Sequence, residues 1–125
     1  MSKVLLVDDS AVMRKIIQRN IKESGMIVNE FFEAGDGAQA LEVVTKDTVD
    51  LILCDWNMPN MSGMEFIKTL RSLNLPKKIP IVMVTTEGAE SKMTEAKENG
   101  ADGYLTKPFT ADQLRDTLGD YLLVK

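Results

Sequence analysis

Residues 51–59, Leu-Ile-Leu-Cys-Asp-Trp-Asn-Met-Pro, decide the fold class. Four apolar residues, Leu51 to Cys54, run directly into the carboxylate of Asp55, and a loop containing Trp56, Asn57 and Pro59 follows at once. A short apolar run without polar alternation is the pattern of a strand buried on both faces, as in a parallel sheet covered by helices. Ending such a strand on an acid places that acid at the rim of a rigid element.

Working outward, further β-type runs occur at Val4 to Val7, about Val28 to Glu33, Ile81 to Val84, and Tyr104-Leu105. Segments of helical periodicity lie between them. Ala11 to Glu23 carries Val12, Ile16, Ile17 and Ile21 on one stripe, with Asp9 or Ser10 as the N-cap and Gly25 just beyond the end. A second helix opens at Asp36 or Gly37 with Ala40, Leu41 and Val44, and a third follows Gly63 with Phe66, Ile67 and Leu70. Glu90 to Asn99 stops at Gly100, and Ala111 to Leu122 follows the cap residue Thr110. The alternation, unbroken by any linker, predicts one doubly wound α/β domain over residues 1–125, with a five-stranded parallel sheet and five helices. The fourth helix is the most polar and has the least surface for a core, which suits an element that moves.

Side-chain expectations follow from the same pattern. Phe31 and Phe32 are adjacent, so one faces each side of the second strand. Met13, Met64 and Met83 fall at packing positions, Met58 and Met61 are open, and Trp56 is expected as a partly exposed loop residue useful as a fluorescence reporter.

Composition narrows the chemistry. At 125 residues, 44% hydrophobic and 27% charged, the chain is long enough for one sizeable core. No apolar run approaches the ~20 residues of a membrane span, and MSKVLLVDDS is too short and too acidic for a secretion signal, so a cytoplasmic location is expected. The lone Cys54 has no internal disulfide partner and sits in an apolar run, as a buried hydrophobe does. With no His, His-based acid–base catalysis and His/Cys zinc sites are excluded. A formal net charge of -4 weighs against nucleic acid as a direct partner. Acids, Thr and Lys must carry the chemistry.

Right-handed strand–helix–strand units send every strand-to-helix loop to one edge of the sheet. Asp8-Asp9, Asp55, Thr85-Thr86 and Lys107-Pro108 all stand there. Singly, each has an ordinary reading: a helix cap, a turn acid, a strand-end hydroxyl, a solvated cation. Together they differ, because unit charges ~4 Å apart repel by roughly 4 kcal/mol at an effective dielectric near 20, so clustered carboxylates need a cation. Hard oxygen donors without imidazole or thiolate suit Mg²⁺. The chemistry such a site permits is phosphoryl transfer to a carboxylate, with Asp55 as nucleophile and Mg²⁺ and Lys107 neutralising phosphoryl charge.

Val7-Asp8-Asp9-Ser10, DWNMPNMSG from Asp55, MVTTE from Met83 and LTKPF from Leu105 resemble, in order and spacing along the whole chain, the receiver domains of two-component response regulators. The resemblance is strongest to the single-domain receivers of chemotaxis. It implies the flavodoxin-like strand order 2-1-3-4-5. It also implies Asp55 as phosphoacceptor, and Asp8 and Asp9 as Mg²⁺ ligands beside Asp55 and the Asn57 backbone carbonyl. Thr85 is then the switch hydroxyl, Lys107 the phosphate-pairing cation, and Tyr104 the aromatic side chain that turns with Thr85. A cis Lys107–Pro108 bond belongs to the same pattern. Ser62-Gly63 stands where many members have Asp-Gly or Asn-Gly, and Thr86 fills a slot often held by Ala. Asn57, Glu87 and Thr86 are the positions expected to tune phosphoryl lifetime.

The resemblance further implies a signalling switch that assists its own phosphorylation and dephosphorylation, not a turnover enzyme. A sensor histidine kinase would supply the phosphoryl group and a phosphatase could remove it. The phosphorylated monomer would bind a flagellar motor switch protein through the face formed by the fourth helix, fifth strand and fifth helix. A stand-alone phosphorelay receiver, passing the group to a histidine phosphotransfer domain, is the alternative output. An Mg²⁺-dependent aspartyl-phosphate phosphohydrolase is a different class, but such enzymes carry a second acid two residues past the nucleophile, where this chain has Asn57. A flavodoxin-like mononucleotide carrier would need a Gly/Ser/Thr-rich loop after the first strand, where Asp8 and Asp9 instead repel phosphate.

Overall fold

Leu51–Cys54 forms β3, with every residue buried. In the computed structural model, which describes residues 2–123, it lies at the centre of a five-stranded sheet. The elements alternate as expected: β1 (Lys3–Val7), α1 (Ala11–Glu23), β2 (Glu30–Ala34), α2 (Gly37–Lys46), β3, α3 (Gly63–Ser72), β4 (Ile81–Thr85), α4 (Glu90–Glu98), β5 (Gly103–Thr106) and α5 (Ala111–Leu118). Residues 1, 124 and 125 of the expected domain lie outside the described residues. All neighbouring strands are parallel, in the order β2-β1-β3-β4-β5. The register sets Val7 beside Cys54 and Cys54 beside Met83, so β1 and β3 end level and β4 runs two residues further, to Thr85.

Alternate strand residues feed two cores. Val4, Leu6, Leu51, Leu53, Val82 and Val84 meet Ile17 and Ile21 of α1 and Leu114 and Leu118 of α5. Leu5, Val7, Ile52, Cys54, Ile81 and Met83 meet α2 and α3, with Ala96 from α4. Each fully buried aliphatic side chain contributes roughly 1.5–3 kcal/mol, so the ends of the central strands are anchored from both sides. Phe31 joins the first core and Phe32 the second, as the alternation requires.

Helix starts follow local chemistry. The Ser10 hydroxyl accepts from the Met13 N–H, and Asp36 accepts from Gln39. Ser62 with Glu65 and Thr110 with Gln113 form reciprocal capping boxes. The α4 helix has Ala89 at its N-cap position, which supplies no side-chain hydrogen bond, and it buries only Ala96. It is the least anchored helix, as its composition suggested.

Some boundaries and faces differ from expectation. The second strand starts at Glu30, because Val28 and Asn29 run outside the ladder, where the Asn29 N–H bonds the Ser2 carbonyl. The last helix ends at Leu118, and Gly119 to Leu122 continue as turns that still bury Leu122. On α1, Val12 and Ile16 are 70% and 43% exposed. The buried stripe is Ile17 and Ile21, extended by the partly buried Met13. Residues one position earlier are rotated ~100° around the helix and face away.

Candidate functional site

Asp8 and Asp55 extend the two adjacent central strands by one residue, at the point where strand order reverses. Backbone pairing continues past the ladder: the Asp8 N–H bonds the Ala34 carbonyl, and the Asp55 N–H bonds the Val7 carbonyl at 2.9 Å. These bonds fix the acids' Cα positions. Asp8 is buried, and its Oδ1 accepts from the Ser10 N–H. Asp55 Oδ1 accepts from the Trp56 N–H at 2.7 Å. Asp9, more exposed, completes a cluster in which one oxygen from each of Asp8, Asp9 and Asp55 lies within 4.8 Å of the others.

Lys107 enters from the β5–α5 loop. Its ammonium lies 2.8 Å from Asp8 Oδ2 and 3.7 Å from Asp55 Oδ2. The Lys107 N–H bonds the Thr85 carbonyl, and the Lys107–Pro108 peptide bond is cis. Burial pushes the Asp55 carboxyl above the usual aspartate value, with the Thr85 hydroxyl and the Lys107 charge acting against that rise and the Asp8 charge adding to it. One ammonium is thus shared by a half-buried acid and a buried one, with a third acid beside them. The oxygen-only donor set fits a hard divalent cation such as Mg²⁺, with Asp8, Asp9 and Asp55 as the residues able to hold it.

A second group of expected residues meets at Glu87. Thr85 is fully buried, and its Oγ1 accepts from the Glu87 N–H at 3.3 Å. Asn57 Nδ2 donates to Glu87 Oε1 at 3.0 Å, and the Tyr104 hydroxyl donates to the Glu87 carbonyl. Thr86 points to solvent at the rim. The resemblance paired Thr85 with Tyr104 and grouped Asn57 with Glu87, but nothing in the sequence joined the two sets. Their meeting depends on β4 lying between β3 and β5, which no local signal encodes.

Trp56 departs from the partly exposed position expected of it. It is buried in the α2/α3 core, and the Lys92 ammonium of α4 sits 4.9 Å from its ring centroid. The loop after Asp55 folds back on itself, with the Gly63 N–H bonding the Trp56 carbonyl and Met58 and Met61 packing on the same core. Gly63 is the residue whose part was least visible in the sequence. A Cβ there would lie 2.2 Å from the Asp55 carbonyl oxygen, so only glycine permits this return. Ser62-Gly63 was the available signal, and it marked only the start of the third helix.

Comparison with known proteins places these features in a family. The response regulator receiver domain model matches residues 4–119. Chemotaxis protein CheY-3 of Vibrio cholerae is 38% identical over 116 residues, 93% of this chain and 88% of that protein. A CheY homolog of Campylobacter jejuni is 39% identical over 121 residues, 96% of this chain and 92% of its own length. Among solved structures, CheY4 of Vibrio cholerae aligns with a TM-score of 0.84 at 41% identity, covering 98% of this chain and 99% of the other. The four loops converging on Asp55 are therefore those of a known signalling module, and the chain belongs to the response regulator receiver domain family.

Proposed function

We propose that this chain is a phosphorylation-driven chemotaxis switch in which Asp55 accepts a phosphoryl group from a sensor histidine kinase. The observation that carries the proposal is the gathering of Asp8, Asp9 and Asp55 around the Lys107 ammonium at the level ends of β1 and β3. In the transfer, an Asp55 carboxylate oxygen forms the new P–O bond while the P–N bond of the phosphohistidine breaks, and the imidazole leaves. Asp8, Asp9, Asp55 and the Asn57 carbonyl are the groups assigned to Mg²⁺, which when bound supplies charge neutralisation for the phosphoryl oxygens. Lys107 moves from its pairing with Asp8 to one of those oxygens. Asn57, Glu87 and Thr86 line the path by which water reaches the phosphoryl group and so set its lifetime.

The switch runs through Glu87. Drawing the Thr85 hydroxyl toward a phosphoryl oxygen removes the acceptor of the Glu87 N–H, and the same residue's carbonyl holds the Tyr104 hydroxyl. Tyr104 then turns inward and reshapes the face of α4, β5 and α5. The sparse anchoring of α4 makes that change inexpensive in core contacts. The partner assigned to this face is a flagellar motor switch protein, consistent with the chemotaxis names of the relatives. Monomeric action in the cytoplasm and reversal by a phosphatase belong to the same proposal; no helix among the described residues is long and apolar enough to cross a membrane.

The test is to incubate the chain with Mg²⁺ and a small acyl phosphate, following Trp56 fluorescence and covalent labelling, and to repeat it with Asp55→Asn. The wild type should label once per chain and the variant not at all; equal labelling would remove Asp55 from the nucleophile role. Binding of a motor switch peptide should strengthen on phosphorylation. No strengthening, with transfer to a histidine phosphotransfer domain instead, would favour the phosphorelay output.

A further inference from the structure

Arg14 belongs to neither core, yet it reaches the loop that carries the acids. From α1 its Nη1 donates to the Asp8 carbonyl, and its Nε pairs with Glu33 Oε1 at 2.9 Å. The side chain is only 16% exposed, unlike the solvated surface pairs that contribute little. Glu33, two strands' width from β3 at the end of β2, is also held by Lys15 at 2.8 Å. The Lys15 hydrogen bond, with help from Arg14 and against the cost of burial, keeps the Glu33 carboxyl below its usual value. The other polar atoms of Asp8 are engaged by Ala34, Ser10 and Lys107. Arg14 thus braces the peptide joining Asp8 to Asp9 against both α1 and the end of β2.

Charge alone argues against a guanidinium here, because a fixed cation beside the cluster repels an incoming dication. Geometry argues the other way. A metal ligand whose backbone is held by a partner presents its oxygen without first being ordered, and loss of such a partner weakens metal binding.

We propose that Arg14, oriented by Glu33, is a positioning residue for divalent-cation binding: it fixes the Asp8–Asp9 peptide so that both carboxylates face one ion. This rests on the reading of the acid cluster as an Mg²⁺ site. Its two physical components predict opposite signs, which makes the test decisive. If Arg14 acts by position, Arg14→Met weakens Mg²⁺ binding by roughly tenfold, the lower end of the effect of removing an outer partner of a metal ligand. If it acts only as a charge, the same variant binds Mg²⁺ more tightly.

The experiment is a Mg²⁺ titration of the full chain followed by Trp56 fluorescence, with urea midpoints measured separately without metal. Arg14→Met should weaken binding most and Glu33→Gln less. Arg14→Lys, which keeps the charge but cannot span both partners, should fall between Arg14→Met and wild type. Lys15→Met removes a cation from the same Glu33 without touching Asp8, and should bind no more weakly than wild type. Glu33→Gln lies at the sheet's rim and carries the test should Arg14→Met fail to fold. Unchanged or tighter binding by Arg14→Met, or equal weakening by Lys15→Met, overturns the inference. A wild-type chain with no Mg²⁺ response overturns the metal-site reading itself, and the inference with it.

Discussion

Aspartates stand at both edges of the sheet, and their surroundings are opposite. At the amino edge, Asp50 and Asp102 immediately precede β3 and β5. Asp50 accepts from the Lys3 N–H and from Lys77, each at 2.9 Å. Asp102 accepts from the Ile81 N–H, Arg71 and Lys78. Burial opposes ionisation of Asp50, but Lys77 and the Lys3 N–H outweigh it and hold its carboxyl below the usual value. At the carboxyl edge, Asp8 and Asp55 share Lys107, with Asp9 alongside, and the Asp55 carboxyl is held above its usual value. The amino edge spends its acids on tying strands to loops. The carboxyl edge leaves its acids short of positive charge, and that shortage is what a cation and a phosphoryl group can use.

The contrast can be broken where the carboxyl edge has a structural duty of its own. Gly63→Ala puts a methyl group against the Asp55 carbonyl. It should destabilise the fold by about 3 kcal/mol, at the upper end of overpacking costs, as read from urea unfolding. A wild-type midpoint would mean that the return of the loop adjusts freely. The contrast sharpens at the opposite edge, where Asp102→Ala leaves the Ile81 N–H and Arg71 without their carboxylate. A loss of about 2 kcal/mol is expected, with Mg²⁺ affinity unchanged. A change in that affinity would show that the two edges are coupled.

The smallest effect should carry the opposite sign. Asp55→Asn removes a half-buried charge from the crowded cluster, so the metal-free variant should unfold at higher urea than wild type at neutral pH. The sign follows from the raised folded-state value. Protonated Asp55 costs the fold nothing, and the cost appears as pH rises through that value. The midpoints of wild type and variant should therefore converge as pH falls below it. A variant less stable than wild type at neutral pH would mean that Asp55 is not electrostatically strained.

Much of the fold was legible because strand and helix periods are local. The apolar runs in β1, β3 and β4, the caps Ser10 and Thr110, and Gly25 and Gly100 at helix ends each act over a few residues. The acids of the site were legible for a related reason. A polar residue that ends a buried parallel strand has only the carboxyl edge to occupy. Trp56 was misjudged because its burial depends on the loop's return to Gly63, and Val12 and Ile16 because apolar residues on an exposed helix face satisfy the same period as buried ones. Arg14 and Lys92 gave no signal, since a basic residue on a helix usually means solvent.

By itself, the sequence determined the kind and order of elements, the set of oxygen donors and the Lys107 ammonium sent with them to one rim, because each is dictated by side-chain type and short-range periodicity. Only the tertiary structure decided who meets whom: Asn57, Thr85 and Tyr104 at Glu87, Lys92 over Trp56, and Arg14 on the Asp8 carbonyl. These contacts join residues on different strands and helices. Their partners are chosen by strand order and loop return, which the whole chain sets at once.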